Sequence, residues 1–250
     1  MTSAYTSVTL AERPDLIGAV LELNDSSWDE FVRNDAVSAR RGNEIYVIFP
    51  EYQVAVIEAS TRRLAAVGNS VPLAWDDDGS VLPDRGWDWA LEEAFRNRGS
   101  GQRPATQCAL SVSIGEGDRG RGIGAVALEA MKEAGARQGL ERMVAPVRPV
   151  LKSRYPLTPM ERYVDWRRDD GDAFDPWIRV HERAGGEIAR ICRESMRVEG
   201  NVSDWESWTG MRFPESGHYV VPGALVPVGI DVERDTGLYL EPNVWMVHTL

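Results

Sequence analysis

Hydrophobic and polar residues alternate between residues 108 and 114, with the apolar side chains at the even-numbered positions. A period of two predicts a β-strand that buries one face. From residue 122 to residue 138 the apolar positions recur every three or four residues, and Gly139 follows the last of them. This spacing predicts an amphipathic helix that ends at the glycine. The chain therefore passes from a strand, through a glycine-rich turn, into a helix.

The same two patterns predict the other elements. Strands are expected at residues 8–10, 44–48, 52–58, 64–73, 142–147, 187–191, 225–232 and 237–241, and helices at residues 14–23, 87–95 and 175–184. Ser27, followed three residues later by Glu30, predicts a capping box that starts one more short helix, and residues 76–80 predict a loop. This order of elements predicts an α/β protein built on a mixed sheet.

The turn before the long helix carries three glycines and two arginines within six residues, 119–124. A helix that begins on glycines offers free backbone N–H groups and the positive end of its dipole, which suits a phosphate or pyrophosphate. The turn therefore predicts an anion-binding site. The alternative is a turn that only joins the strand to the helix.

Three phosphate-binding motifs can be compared with this turn. Residues 115–120 match the dinucleotide pattern G-x-G-x-x-G, but two acidic residues would then lie beside the pyrophosphate, and the next strand lacks the acidic residue that reads the ribose. A Walker A loop requires Lys-Ser or Lys-Thr after its last glycine, which this chain lacks. The pattern R-x-x-G-x-G/A after a strand is matched by Arg119, Gly122 and Gly124.

This third pattern resembles that of the GNAT superfamily, the acyl-coenzyme A-dependent N-acyltransferases. The resemblance implies acyl-coenzyme A as the donor substrate and two sets of residues that bind it. The turn would cradle the pyrophosphate with the backbone amides of Arg119, Gly120, Arg121, Gly122, Ile123, Gly124 and Ala125. The preceding strand would pair edge-on with the pantetheine arm through Leu110, Ser111, Val112 and Ser113.

The order of elements also resembles a single GNAT domain that spans residues 1–250. The resemblance implies a central mixed, mostly antiparallel sheet flanked by helices. The core is expected at about residues 8–195, with an insertion at about 152–175. Residues 201–250 are expected to supply the C-terminal strands and an extension.

The helix predicted at residues 175–184 carries the candidate acid. Asp175 followed by Pro176 is typical of an N-cap with proline at the first helical position, and Gly185 is expected to end the helix. Four residues before such a glycine the family has a tyrosine that protonates the departing thiolate, whereas this chain has His181. An imidazole also donates a proton near neutral pH. We expect His181 to protonate the thiolate or to hold the thioester sulfur; the alternative is a helix-face residue outside the chemistry.

The remaining candidate site residues are selected from their position in the chain and from the composition of the surrounding segments. Glu116, directly after the central strand, lies where the family sometimes has a general base, and its alternative is a solvated carboxylate in a loop. Tyr155, Trp177 and His218 belong to aromatic-rich segments. As a set, the aromatic residues are expected to line a partly apolar acceptor pocket, with packing in the core as the alternative for each.

The amino-acid composition limits which classes of molecule the protein is expected to bind. A net charge of −11 disfavours nucleic acid and anionic membrane surfaces and favours a cationic small molecule as the acceptor. Cys108 and Cys192 are too few for a disulfide framework and lack metal-ligand spacing, so no metal is expected. Without a signal peptide at Met1 or an apolar run of about 18 residues, the expected compartment is the cytoplasm.

These observations favour an acyltransferase that moves an acetyl or another short acyl group from coenzyme A to an amine by direct attack. Holding the two reactants together supplies much of the rate of such an enzyme. Two alternatives stay open. One is a non-catalytic protein that binds acyl-coenzyme A, and the other is an acyltransferase whose acyl group arrives on a carrier protein. A homodimer is compatible with all three.

Overall fold

A mixed sheet of nine strands organises the residues that the computed structural model describes, which are 4–76 and 81–250. The strands are β1 (Tyr5–Thr9), β2 (Val54–Glu58), β3 (Leu64–Leu73), β4 (Thr106–Ile114), β5 (Arg142–Val147), β6 (Glu187–Gly200), β7 (Gly217–Tyr219), β8 (Val228–Asp231) and β9 (Thr236–Thr249). Their order is β1-β2-β3-β4-β5-β9-β8-β7, and β6 also pairs with β9. Among these strands β4 and β5 run parallel, and the other pairs are antiparallel. The predicted mixed, mostly antiparallel sheet is confirmed.

Helices cover both faces of this sheet. They are α1 (Ile17–Asp25), α2 (Glu30–Arg33), α3 (Ala36–Arg41), α4 (Ile45–Ile48), α5 (Gly86–Gly99), α6 (Ile123–Arg137), α7 (Met160–Tyr163), α8 (Pro176–Arg183) and α9 (Val202–Thr209). Helices α1 and α5 share one buried core with Leu110 of β4, whereas α6 and α8 share another with the adjacent Ala109. Successive residues of β4 point to opposite faces, so this strand lies between the two cores.

The parallel pair β4 and β5 is short. Its paired residues are Thr106 to Cys108 opposite Arg142 to Val144, after which the two strands are no longer paired. On its other edge, β4 pairs with β3 over its whole length, with a register shift that leaves Leu110 unpaired between Ala109 and Ser111. Such a bulge bends a strand and changes the direction of its backbone groups. The middle of the sheet therefore has both an open edge and a bend.

Most predicted elements are present, and two local predictions are wrong. The apolar run at residues 44–48 is not a strand, because Gly42–Glu44 form a 3-10 turn that continues into helix α4. Short apolar runs do not distinguish a strand from a helix. The Ser27–Glu30 capping box does not form, because the Ser27 hydroxyl donates to the carbonyl of Leu23 and α2 begins after Asp29. Of the predicted loop at 76–80, residues 77–80 lie outside the described part of the chain.

The C-terminal segment is built into the sheet. Strand β9 pairs with β5 on one edge and with β6 on the other. Residues beyond 195 therefore supply a strand that lies between two strands of the expected core. The segment at 152–175 adds α7 and a cluster of aromatic rings beside α8. Within residues 4–76 and 81–250, no helix combines the length and the apolar composition needed to cross a bilayer.

Candidate active site

A wedge-shaped cavity opens where β4 and β5 separate. Its empty space is about 700 Å³ when the solvent-filled mouth is included, and it is lined mainly by apolar side chains. Leu110, Ser111 and Val112 form its β4 wall, whereas Ser113 is buried and its hydroxyl donates to Asn24. Because β4 has no neighbouring strand on this edge, its backbone groups can pair with an extended ligand. We call this cavity the donor wedge.

The glycine turn lies between β4 and the first turn of α6. Gly120 and Gly122 both have a φ of 78°, a left-handed conformation that suits glycine. Gly122 is the N-cap of α6 and no side chain caps this helix, so the amides of Ile123 and Gly124 have no intrahelical partner. By contrast, the amide of Ala125 donates to the carbonyl of Gly122 at 3.1 Å. The exposed turn thus presents N–H groups and the positive end of the helix dipole to solvent.

The two arginines of the turn have different surroundings. Arg121 donates to the fully buried Asp118 at 3.0 Å, and Arg63 holds the same carboxylate at 2.5 and 2.9 Å. The hydrogen bond from Arg63 lowers the pKa of Asp118, so this carboxylate is ionised and paired with two arginines. The side chain of Arg119 has no hydrogen bond or ion pair with any residue that the structure describes. Arg119 is therefore the guanidinium that is available to a ligand.

Replacing the two arginines one at a time separates binding from loop structure. We expect Arg119→Ala to weaken acyl-coenzyme A binding about tenfold, because a charge-assisted contact is lost, and to leave thermal unfolding unchanged. Arg121→Ala removes the ion pair with Asp118. Because Arg121 is half exposed, the free energy of unfolding should fall by less than about 1 kcal/mol. Titration calorimetry and thermal melts measure both. Equal loss of affinity in the two variants would contradict the assignment.

One wall of the donor wedge carries a histidine that is paired with a second, buried histidine. Asp175 caps α8 by accepting from the amides of Trp177 and Ile178, as predicted. His181 lines the wedge, and its Nδ1 lies 2.9 Å from Nε2 of His248 on β9. The edge of the Trp177 ring packs against the His181 imidazole, with 4.7 Å between ring centroids. Both histidines are buried.

Burial determines the charge of this pair. It lowers the pKa of His181 to about 3, with a further contribution from His248, and lowers the pKa of His248 to about 4. Both rings are therefore neutral near pH 7, and His181 supplies no imidazolium proton. Nδ1 of His248 has no partner among the described residues. The hydrogen bond between the two rings holds one proton, and the tautomer in which Nε2 of His248 donates it leaves His181 with an N–H at Nε2 as a hydrogen-bond donor.

A second cavity continues from the bulge of β4 on the side of α1 and α5. It shares Leu110, Ser111 and Trp28 with the donor wedge. Arg33 and Asp25 line its mouth, and neither side chain has a hydrogen bond or ion pair within the described residues. We call this space the acceptor cavity.

The floor of the acceptor cavity holds a buried ion pair. Arg148 donates from Nε to both oxygens of Glu241 at 2.9 and 3.0 Å, and from Nη2 to the carbonyl of Gly223 at 2.7 Å. Tyr239 also donates to Glu241. Trp28 and Trp87 supply aromatic walls. The cavity thus offers charges of both signs beside apolar surface.

Some of the predicted site residues come together and others do not. His181 and Trp177 share the donor wedge with the predicted strand residues. Glu116 is exposed on the turn, and Tyr155 packs against Trp166 and Phe174 outside the wedge and the acceptor cavity. His218 is exposed on β7, the edge strand of the sheet. Glu116, Tyr155 and His218 were selected from their positions in the sequence alone. The structure does not place any of the three at the donor wedge or at the acceptor cavity.

Several residues at these cavities were not selected from the sequence. They are Trp28, Asn69, Arg148, Glu241 and His248. A signal existed for one of them, Glu241. Glu241 and Asn243 interrupt a strand whose neighbouring residues are apolar, and a buried polar residue on such a strand usually has a specific partner. The others depend on contacts across the sheet that spacing does not reveal.

Comparison with solved structures identifies the class of fold. The loading GNATL domain of CurA from Lyngbya majuscula matches 99% of this chain and 98% of its own, with a TM-score of 0.62 and 17% identity. The GphF GNAT-like decarboxylase, solved with isobutyryl-CoA, matches 99% of both chains, with a TM-score of 0.56 and 16% identity. The protein therefore has a GNAT fold, in which β4 and β5 separate and a glycine turn lies at the opening between them. No family model matches the sequence.

The sequence itself gives the family. An arginine N-acetyltransferase of Aspergillus versicolor, avaD, is 31% identical over 98% of this chain and 94% of its own length. The chain therefore belongs to the GNAT superfamily of acyl-coenzyme A-dependent N-acyltransferases, as the R-x-x-G-x-G turn predicted. It is an enzyme, and the N-acyltransferase class expected from the sequence is confirmed.

Proposed function

We propose that this enzyme transfers an acetyl group from acetyl-coenzyme A to the α-amine of arginine or of a closely related basic amino acid. The observation that carries the proposal is the acceptor cavity, whose mouth combines an unpaired Arg33 with an unpaired Asp25. A zwitterion with a cationic side chain requires groups of both signs. The 31% identical relative is an arginine N-acetyltransferase, which supports the same class of acceptor.

The residues divide the work between the two cavities. Arg119 and the amides at the start of α6 would hold the pyrophosphate of the donor, and the open edge of β4 would pair with the pantetheine arm. The acyl group would then lie near the bulge at Leu110, where the wedge and the acceptor cavity meet. Holding both reactants at this junction converts a bimolecular step into a local one.

His181 would act on the leaving group. When the amine attacks, a C–N bond forms, the C–S bond breaks and the sulfur takes the electron pair. The Nε2–H of neutral His181 can donate a hydrogen bond to this thiolate and so stabilise it. The amine loses its proton to solvent water. Glu116 as the base, and Tyr155 and His218 as acceptor-binding residues, stay predictions.

The proposal also covers the cellular compartment, the acyl donor and the oligomeric state. The two cysteines are buried and free, which supports a reducing compartment such as the cytoplasm. A carrier protein as the donor, and a second copy of this chain as a partner, are the remaining sequence-based predictions.

A coenzyme A-release assay tests the proposed acceptor. With acetyl-coenzyme A, we expect turnover with arginine and none with Nα-acetylarginine, because the guanidinium stays protonated and is not nucleophilic. Arginine methyl ester should react with a higher KM, since it lacks the carboxylate that Arg33 would hold. Selective turnover of an aromatic amine would refute the acceptor class. Transfer from an acyl-loaded carrier protein, without transfer from acetyl-coenzyme A, would refute the donor.

A further inference from the structure

Five polar side chains meet beside the bulge of β4, on the acceptor side of the sheet. They come from α1, α4, β3 and β4, and they are Asn24, Tyr46, Asn69, Ser111 and Ser113. We call this group the Asn69 cluster. Its members are buried or half-buried. Polar groups that are withdrawn from water need partners, so each hydrogen bond of the cluster can be traced.

The hydrogen bonds fix the orientation of Asn69. Its Nδ2 donates to Oγ of Ser111 at 3.0 Å and to Oδ1 of Asn24 at 3.3 Å. Asn24 Oδ1 also accepts from Ser113 at 2.6 Å, and its Nδ2 donates to the hydroxyl of Tyr46 at 2.6 Å. Because both N–H groups of Asn69 are committed to the cluster, its carbonyl oxygen must point the other way.

That carbonyl oxygen has no partner. Asn69 is 4% exposed, and its Oδ1 is without a hydrogen bond among residues 4–76 and 81–250. A buried acceptor left unsatisfied is costly to a folded protein. Asn69 lines the acceptor cavity together with Leu110 and Ser111. The side chain that carries the unpaired oxygen therefore belongs to the wall of the acceptor cavity.

The position of Asn69 along β3 relates it to the reacting atoms. It pairs with Ser111 at the register shift that leaves Leu110 unpaired. Leu110 and Ser111 line both the donor wedge and the acceptor cavity. A group bound at Asn69 would thus lie at the junction of the two cavities, where the proposed reaction requires the nucleophile.

We propose that Oδ1 of Asn69 accepts a hydrogen bond from the attacking amine of the acceptor. The inference rests on the proposed function and adds a binding residue for its nucleophile. A neutral primary amine has two N–H bonds and one lone pair, so holding one N–H leaves the lone pair to be directed at the acyl carbon. Nitrogen becomes positively charged as the C–N bond forms, which strengthens its hydrogen bond to Asn69.

Asn69→Leu tests this role, because leucine has a similar size and no acceptor atom. We expect kcat/KM for the amine to fall about 10- to 100-fold. The affinity for acetyl-coenzyme A should stay unchanged. Asn69→Ala is the second variant, since it leaves room for water to satisfy Asn24 and Ser111.

A matched control is available in α5. Asn97 is also buried, its side chain is fully hydrogen bonded, and it lines neither the donor wedge nor the acceptor cavity. Asn97→Leu should lower thermal stability without changing kcat/KM for the amine. Wild-type kcat/KM in a folded Asn69 variant, or an equal loss of acetyl-coenzyme A affinity, would overturn the inference. Absence of amine transfer in the unmodified enzyme would instead overturn the proposed function.

Discussion

Gly122→Asp is expected to reduce acyl-coenzyme A binding by at least about 100-fold. The new carboxylate would lie at the N-cap of α6, among the amides that are proposed to hold the pyrophosphate. Two like charges about 5 Å apart repel by roughly 3 kcal/mol at an effective dielectric constant near 20, and about 1.4 kcal/mol corresponds to tenfold in affinity. Titration calorimetry with acetyl-coenzyme A measures the loss.

Two further variants separate charge from backbone strain. Gly139, just beyond the other end of α6, has a φ of 77° and open space around its Cα, as Gly122 has. Gly139→Asp should therefore carry a similar strain and leave donor affinity unchanged. Gly122→Asn adds bulk without charge and should weaken binding less than Gly122→Asp. Wild-type affinity in Gly122→Asp would remove the basis for placing the pyrophosphate at this turn.

His181→Phe is expected to lower kcat about 10²- to 10³-fold, with little change in the KM for the donor. Removing one hydrogen-bond donor that is directed at developing negative charge typically has an effect of this size. Phenylalanine fills the space beside Trp177. It leaves His248 without its partner, so some stability is lost as well. Steady-state kinetics at temperatures well below the melting point measure the effect on kcat.

The pH profile distinguishes a neutral donor from an imidazolium acid. Because burial lowers the pKa of His181 to about 3, its charge does not change between pH 5 and 8. Any change of kcat with pH in that range should therefore persist in His181→Phe. His218→Phe, at the exposed edge strand, is a second variant, and a kcat and an acceptor KM within about twofold of the wild type would contradict the prediction that His218 binds the acceptor. A limb near pH 6.5 that disappears in His181→Phe would show that the imidazolium is the acid.

Local sequence patterns were sufficient where the structure depends on near neighbours. The alternation in β4, the spacing in α6 and the Asp175 cap of α8 all act within a few residues. The same is true of the glycine turn, whose conformation depends on the φ angles that glycine alone adopts freely. Residues 44–48 were mistaken for a strand because an apolar run so short has no periodicity of its own.

The acceptor side could not be found in this way. Asn69 meets Asn24 across 45 residues of chain, and Arg148 meets Glu241 across 93. Each of these side chains is unremarkable in its own segment. Their meaning depends on which strands become neighbours, and here the last long strand, β9, lies between β5 and β6.

The sequence by itself determined the strand–turn–helix unit and through it the family, because both follow from the hydrophobic period and the positions of glycine and arginine within about thirty residues. The tertiary structure decided the charge state of His181. From its place four residues before Gly185 we expected it to protonate the thiolate or to hold the thioester sulfur, but burial beside His248, 67 residues later, lowers its pKa to about 3 and keeps the ring neutral. Desolvation and hydrogen-bond partners set the proton affinity of a side chain, and both are properties of the packed molecule.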